Sequence, residues 1–175
     1  ARTAVDTAQD ADHPVDATLT GERAVDRATA DRVAAVEGVT DVLEVAGTSA
    51  TESAGGTLTV LAPDEAVRER TLDPSATRAG DAEVLVPGAL AMNDFPEGLP
   101  GRLTLTTEHG SVTLQTRVVG TRWGEAVVVS PATLDRLGPT TTRALWVMAD
   151  DVDADQLDGR LGAAVRDAGM EVIYT

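Results

Sequence analysis

The segment Arg143-Ala-Leu-Trp-Val-Met148, followed by Asp150-Asp-Val-Asp153, a helical pattern and Gly169-Met-Glu-Val-Ile-Tyr-Thr175, predicts a strand, a helix and a second strand. Asp153 stands where a helix N-cap is expected, because its carboxylate can accept hydrogen bonds from the first backbone N–H groups of the helix. Apolar residues then recur at the spacing of one helical face, namely at Leu157, Leu161, Val165 and Ala168. Gly169 follows as a residue that can adopt the positive φ of a helix end. The segment is therefore interpreted as a βαβ unit.

A second unit of the same kind is predicted near the start of the chain. It consists of a strand over 15–20, a helix over 27–36 that ends at Gly38, and a strand over 39–46. The Ser-, Thr- and Gly-rich run 47–56 that follows is predicted to be a loop. Two such units can pair into one mixed sheet with both helices on one face, which is typical of ferredoxin-like or porter-like α+β folds.

The middle of the chain has a different pattern, since helical periodicity gives way to alternation of apolar and polar residues over 83–130. A hairpin turn at Glu108–Ser111 joins two of the expected strands. We expect a small antiparallel β lobe at 83–130, inserted into an α/β body formed by 15–82 and 131–175. Residues 1–14 are small, acidic and without periodicity, and they are interpreted as a flexible tether.

Composition excludes several classes of function. The 175-residue chain carries a formal net charge of −15, and all of its 14 basic residues are Arg. Binding to nucleic acid requires cations that neutralise phosphates, so nucleic acid is excluded as an expected partner. The absence of Cys removes thiol catalysis and disulfides, and no window approaches the roughly 18 apolar residues of a membrane span. The chain begins at Ala1 rather than Met, which is expected of a processed product or of a domain cut from a longer protein.

The sequence offers no strong candidate for catalysis, for a cofactor or for a metal. The two histidines, His13 and His109, lie far apart and are interpreted as ordinary exposed side chains. The acidic run from Asp151 to Asp155 has the spacing of the first ligands of a calcium loop, but Gln156 stands where that loop requires Gly. An acidic first helical turn accounts for these carboxylates without an ion.

The loop Asn93–Gly101 holds the only Phe of the chain, and Trp123 stands at another predicted turn. Aromatic side chains are frequent anchors of protein interfaces. We therefore expect a partner contact formed by Phe95, Leu99 and Trp123. The alternative is that both aromatic side chains cap the small core of the β lobe.

Three stretches carry a resemblance to a known family. They are Val33-Ala-Ala-Val-Glu-Gly38-Val39, the run from Val127 to Leu137, and Ala144-Leu-Trp-Val147 with the helix start at Asp153. Together with the order βαβ, β-rich lobe, βαβ, they make the chain similar to the extracytoplasmic domain of MacB-like and FtsX-like ABC-transporter permeases, from about residue 15 onward.

The resemblance implies a non-catalytic domain on the outer side of the cell membrane, between the first two transmembrane helices of a permease. Its implied partners are an ABC ATPase subunit or domain and an extracellular protein or substrate, and a homodimer in the full permease is also expected. Two other classes remain open on the residues alone. One is a secreted or lipid-tethered hydrolase with a carboxylate pair, and the other is a free-standing ligand-binding module.

Overall fold

The computed structural model describes residues 15–21, 23–53, 55–71, 74–120, 123, 125–150, 152–166 and 170–174. The expected tether at 1–14 lies outside these residues. The strands are β1 (Ala17–Gly21), β2 (Val39–Glu52), β3 (Thr57–Ala62), β4 (Glu83–Pro87), β5 (Arg102–Thr107), β6 (Gly110–Val119), β7 (Ala126–Val128), β8 (Thr141–Ala149) and β9 (Met170–Tyr174). The helices are α1 (Arg27–Ala34), α2 (Glu65–Glu69), α3 (Gly88–Asp94), α4 (Pro131–Arg136) and α5 (Ala154–Ala164), with a 3-10 turn at Pro74–Thr77. The predicted α+β class with one mixed sheet is confirmed.

Four strands at one end of the sheet form the body, in the order β2-β8-β1-β9. All neighbours within this set are antiparallel. Helices α1 and α5 both pack on one face of these strands, through Ala30, Val33, Leu157 and Leu161 against Leu19, Leu145 and Val147. The N-cap prediction is confirmed, because Asp153 accepts a hydrogen bond from the N–H of Gln156 at 2.9 Å.

The other strands close into a ring. From β2 the order runs through β5, β6, β4 and β7 to β3, and β3 pairs with β2 again. The side chains that alternate toward the inside form its core, among them Ala50, Leu58, Val60, Val84, Val86, Leu103, Leu105, Val112, Leu114 and Val127. The lobe is therefore a six-stranded barrel to which β2 and β3 contribute. The expectation of an antiparallel lobe is wrong, since β4 pairs with β6, and β3 with β7, in parallel.

Strand β2 belongs to both parts of the molecule. Its first half pairs with β8 in the body, and its second half pairs with β3 and β5 in the barrel. The loop expected at 47–56 is therefore wrong as far as Glu52. Gly47 marks the passage from sheet to barrel, because a Cβ at this position would lie 2.4 Å from the carbonyl oxygen of Val60. Only a residue without a side chain allows β2 and β3 to approach this closely.

A second apolar cluster joins the barrel to the body. It lies between the outside of the barrel and the body face opposite α1 and α5, and includes Leu43, Val45, Leu61, Leu85, Trp123, Val128 and Trp146. Because both parts bury apolar surface in this cluster, they are packed as one unit. The longest described helix, α5, has 11 residues, and no helix in the described part of the chain combines the length and hydropathy needed to cross a bilayer.

Candidate functional site

One end of the barrel is closed by α3 and the loop that follows it. Phe95, directly after α3, is 6% exposed and packs into the barrel core beside Leu90, while Leu99 is half-buried against the same core. The loop is fastened to β6, because the hydroxyl of Thr116 donates to the carbonyl of Pro100. Phe95 and Leu99 thus come together at this end of the barrel, where Phe95 fills the opening and Leu99 lies at its edge. We call this the plugged end of the barrel.

Trp123 lies elsewhere, in the cluster between barrel and body. Its side chain is fully buried, and its Nε1–H donates to the carbonyl of Ala126 at 2.7 Å. Phe95 is buried in the core of the lobe, as the alternative expects, whereas Trp123 is buried outside that core, in the cluster between barrel and body. The partner contact expected through Phe95, Leu99 and Trp123 stays a prediction. In such a contact the buried aromatic side chains would support the contacting surface from inside and would not themselves touch the partner.

The large apolar side chains that are exposed in the described residues are Met92 and Val118, at 79% and 56%. Both lie near the plugged end of the barrel: Met92 is on α3, and the Cγ1 of Val118 is 3.9 Å from the point where a Cβ of Gly88, the first residue of α3, would stand. Sequence reasoning missed both, because each stands in an apolar stretch that looks like core. We call Met92, Val118 and Leu99 the α3 patch.

An open groove of about 630 Å³ lies where β8 leaves the edge of β2 and β5 joins it. Hydroxyl groups dominate its lining, from Thr48, Ser49, Thr51, Thr57, Thr106 and Thr107. Glu108 supplies the only carboxylate and His109 the only imidazole among the described residues that line it. The groove therefore lacks the converging pair of carboxylates on which a glycosidase-type mechanism depends.

Arg143 contacts one lining residue of the groove, Ser49, and lies at a register shift in β8, where Val45 pairs with Ala144 and the next residue of β2 pairs with Thr142. Such an irregularity re-aims a side chain. The Arg143 guanidinium is buried, and its Nη2 donates to the Ser49 hydroxyl at 2.6 Å. This bond ties β8 of the body to the barrel half of β2.

His109 has a structural explanation in its hairpin turn. Its ring lies over Gly138, where an added Cβ would be 2.6 Å from the ring. Gly138 also has a φ of +116°, a conformation that favours glycine. The backbone N–H of His109 donates to the Thr107 hydroxyl at 3.2 Å, and that hydroxyl donates to the carbonyl of Leu137, the C-cap residue of α4, so the hairpin is docked onto the end of α4.

Two carboxylates have a lowered pKa, and nearby hydrogen bonds account for both. The N–H of Gly80 and the guanidinium of Arg117 donate to Glu83, and these bonds lower the pKa of Glu83 below its ordinary value. Hydrogen bonds from Thr29 lower the pKa of Asp26, the N-cap of α1.

Of the acidic run considered as a calcium loop, Asp151 lies outside the described residues and Asp153 caps α5. No group of three or more His, Asp or Glu side chains that could hold a metal occurs within the described ranges.

No family model matches the chain, and no curated protein matches it. Solved structures do. The periplasmic region of MacB from Actinobacillus actinomycetemcomitans is 12% identical, with 90% of this chain and 87% of that chain covered and a TM-score of 0.38. The extracellular domain of the noncanonic ABC-type transporter YknZ from Gram-positive bacteria is 12% identical, with 90% and 98% covered and a TM-score of 0.41.

A domain assigned to a permease protein from Porphyromonas gingivalis is 16% identical, with 94% of this chain and 89% of that chain covered and a TM-score of 0.32. At these scores the superpositions are partial, and no residue of this chain takes a role from them. The chain is thus similar to extracytoplasmic domains of ABC-transporter permeases, the kind of protein that the sequence resemblance named.

Proposed function

We propose that this chain is a non-catalytic extracytoplasmic domain of an ABC-type permease, which passes movement driven by ATP hydrolysis to an extracellular protein or substrate. Strand pairing in the body is the observation that carries the proposal. β1 and β9 are antiparallel neighbours, with Ala17 opposite Tyr174. The polypeptide therefore enters and leaves the body at one place, as a domain held between two successive membrane spans requires.

The arrangement of the body supports the same role. Two βαβ units interleave in the order β2-β8-β1-β9 with their helices on one face, which supports the ferredoxin-like description. The barrel is joined to this body by an unbroken β2 and by the buried cluster around Trp123. A displacement of the body would move the barrel with it, because neither connection contains a flexible loop.

The location can be tested in the intact protein encoded by the gene. The chain has no Cys, so single cysteines introduced into it give a clean labelling signal within this domain. We expect Ser111→Cys, at an exposed site in the barrel hairpin, to react in intact cells with a maleimide that does not cross membranes. Leu103→Cys, in the buried barrel core, is the matched control and should react only after denaturation. Labelling of Ser111→Cys only after the cells are lysed would refute the location.

The partner contact is proposed to use the α3 patch. Met92 provides a direct probe, since peroxide oxidises exposed Met side chains. We expect sulfoxide formation at Met92 to be slower in the intact transport complex than in the isolated chain, because a partner covers it. Met148, which is half-buried within β8 of the body, is the internal reference and should oxidise at the same rate in both samples. Equal rates at Met92 in the two samples would remove this surface from the proposal.

The ATPase subunit and a homodimer are proposed as parts of the same assembly. The intact complex purified from membranes should contain an ATPase chain and hydrolyse ATP. A preparation in which this protein migrates alone and without ATPase activity would refute the assembly.

A further inference from the structure

A row of hydroxyl side chains crosses four strands on the outside of the barrel. Strand register places its members directly opposite one another, in the order Ser111, Thr106, Thr51 and Thr57. All four side chains are exposed. A second row runs beside it through Thr113, Thr104 and Ser53. We call these two rows the hydroxyl strip.

The geometry of the strip follows from the sheet. Neighbouring strands lie about 4.8 Å apart, and residues on the same face of a strand are about 6.8 Å apart, so the hydroxyl groups form a two-dimensional array. Cross-strand hydrogen bonds fix some of them: the hydroxyls of Thr104 and Thr113 are 2.9 Å apart, and those of Thr106 and Ser111 are 3.1 Å apart. Each hydroxyl has one donor and two acceptor positions, so every pair keeps donor and acceptor capacity toward solvent.

The chemistry of the strip selects its ligand. The two rows contain only hydroxyl side chains, and the ionisable side chains that border the site are few and of both signs: Arg102 is exposed two residues before Thr104 on β5, and Glu108 and His109 line the groove. An anionic ligand would meet a single Arg and would be repelled by the rest of the chain, whose net charge is −15. A polycationic ligand would find one carboxylate, Glu108, and an apolar partner would find no large apolar side chain in the rows. A neutral ligand that both donates and accepts hydrogen bonds is the class that fits.

The strip also leads into a concave site. Thr51, Thr57 and Thr106 belong to the strip and at the same time line the groove of about 630 Å³ beside β2. This volume lies in the range of pockets that hold small ligands. We propose that the strip and the groove together bind an uncharged glycan chain, with the groove holding one end or branch and the rows holding the extended part. This proposal rests on the proposed function in one respect only, namely that the domain lies outside the cell, where such glycans occur.

The test uses the purified 175-residue chain and named neutral polysaccharides. We expect the chain to sediment with insoluble chitin or cellulose, and not to bind polygalacturonate, an anionic polysaccharide of similar stiffness. The double variant Thr51→Val and Thr106→Val removes two central hydroxyls and keeps the side-chain shape and the strand preference. We expect it to bind at least 10-fold more weakly.

Two control variants separate binding from folding. Thr40→Val lies on the body half of β2, also at an exposed position, and should bind as the natural chain does. The double variant Thr51→Ser and Thr106→Ser keeps both hydroxyls and should retain binding. Urea unfolding midpoints show whether each variant is folded.

Absence of binding to both neutral polysaccharides would overturn the proposal, as would stronger binding to polygalacturonate or full binding by the folded Val double variant. These outcomes do not touch the cysteine-labelling test, so failure of glycan binding and failure of the permease role remain distinguishable.

Discussion

Replacing Gly47 with Ala tests the account of how β2 passes from the body into the barrel. The added Cβ would lie 2.4 Å from the carbonyl oxygen of Val60, 2.9 Å from Cδ2 of Leu61 and 3.1 Å from Cβ of Arg143. The Leu61 methyl can rotate away, but the Val60 carbonyl is backbone. It would have to retreat by about 0.6 Å to reach the 3.0 Å below which real Cβ contacts do not occur.

The magnitude follows from what must move. Val60 is paired with Thr48 in the β2–β3 ladder, and its side chain is fully buried in the barrel core, so the shift strains both the ladder and the packing. Overpacking of a well-packed core costs about 1–3 kcal/mol, and a backbone clash places this substitution toward the upper end. For a chain of this size, about 2–3 kcal/mol corresponds to a fall of roughly 5–10 °C in the melting temperature.

The chain offers a matched control with the opposite sign. Gly159 lies inside α5, and a Cβ there would meet nothing within 4 Å. Gly159→Ala should therefore raise stability by about 0.5–1 kcal/mol, because Ala is the better helix former. Urea unfolding followed by Trp fluorescence measures both variants. If Gly47→Ala unfolds within 0.5 kcal/mol of the natural chain while Gly159→Ala is stabilised as expected, the proposed close approach of β2 and β3 is wrong.

Three further substitutions probe single interactions. Glu83→Gln should lower the free energy of unfolding at neutral pH and leave it unchanged in acid. The pKa of Glu83 is depressed in the folded chain, so the carboxylate stabilises the fold above its ordinary pKa, and this stabilisation is lost as the pH falls through the folded pKa. A difference in urea midpoint between variant and natural chain that stayed constant from pH 7 to pH 3 would contradict this. Trp123→Phe should cost about 1–3 kcal/mol, because it leaves the buried carbonyl of Ala126 without the indole donor, and an unchanged melting temperature would show that the bond contributes nothing. Ser130→Ala removes the N-cap of α4 and should cost about 1 kcal/mol, whereas Ser130→Asp should keep most of that stability in the same thermal melts.

The parts of the fold that the sequence predicts well are those set by local interactions. The helix that begins after Asp153 is determined by a cap and by the spacing of Leu157 and Leu161, all within one short segment. The barrel could not be predicted in the same way, because its closure depends on the pairing of β2 with β5 and of β3 with β7, strands that lie far apart in the chain. The Ser- and Thr-rich second half of β2 has the composition of a loop, and only its pairing with β3 and β5 makes it a strand.

Prediction of the candidate site from the sequence is limited for a different reason. An aromatic residue at a predicted turn can either project to a partner or fold back into the core, and the local sequence around Phe95 and Trp123 does not distinguish these cases. In this chain aromatics are only 2% of the residues, so a barrel built from Val, Leu and Ala gains from each large side chain that fills it. The exposed Met92 has no sequence signal of its own, because its exposure depends on how α3 lies across the end of the barrel.

The proposed transmission of movement from the body to the barrel depends on β2 more than on any other element. A strand of 14 residues that pairs with β8 at one end and with β3 and β5 at the other cannot bend at the junction without breaking ladder hydrogen bonds on both sides. Gly47, the feature that would ordinarily loosen a strand, is here enclosed by Val60, Leu61 and Arg143, and the bond from Arg143 to Ser49 braces the same place from β8. Under the proposed function, a movement imposed on the body would displace the barrel and its α3 patch as one unit, without deformation at a hinge in β2. It follows that substitutions which loosen this junction should weaken coupling in an intact permease even where they leave the α3 patch and the hydroxyl strip unchanged.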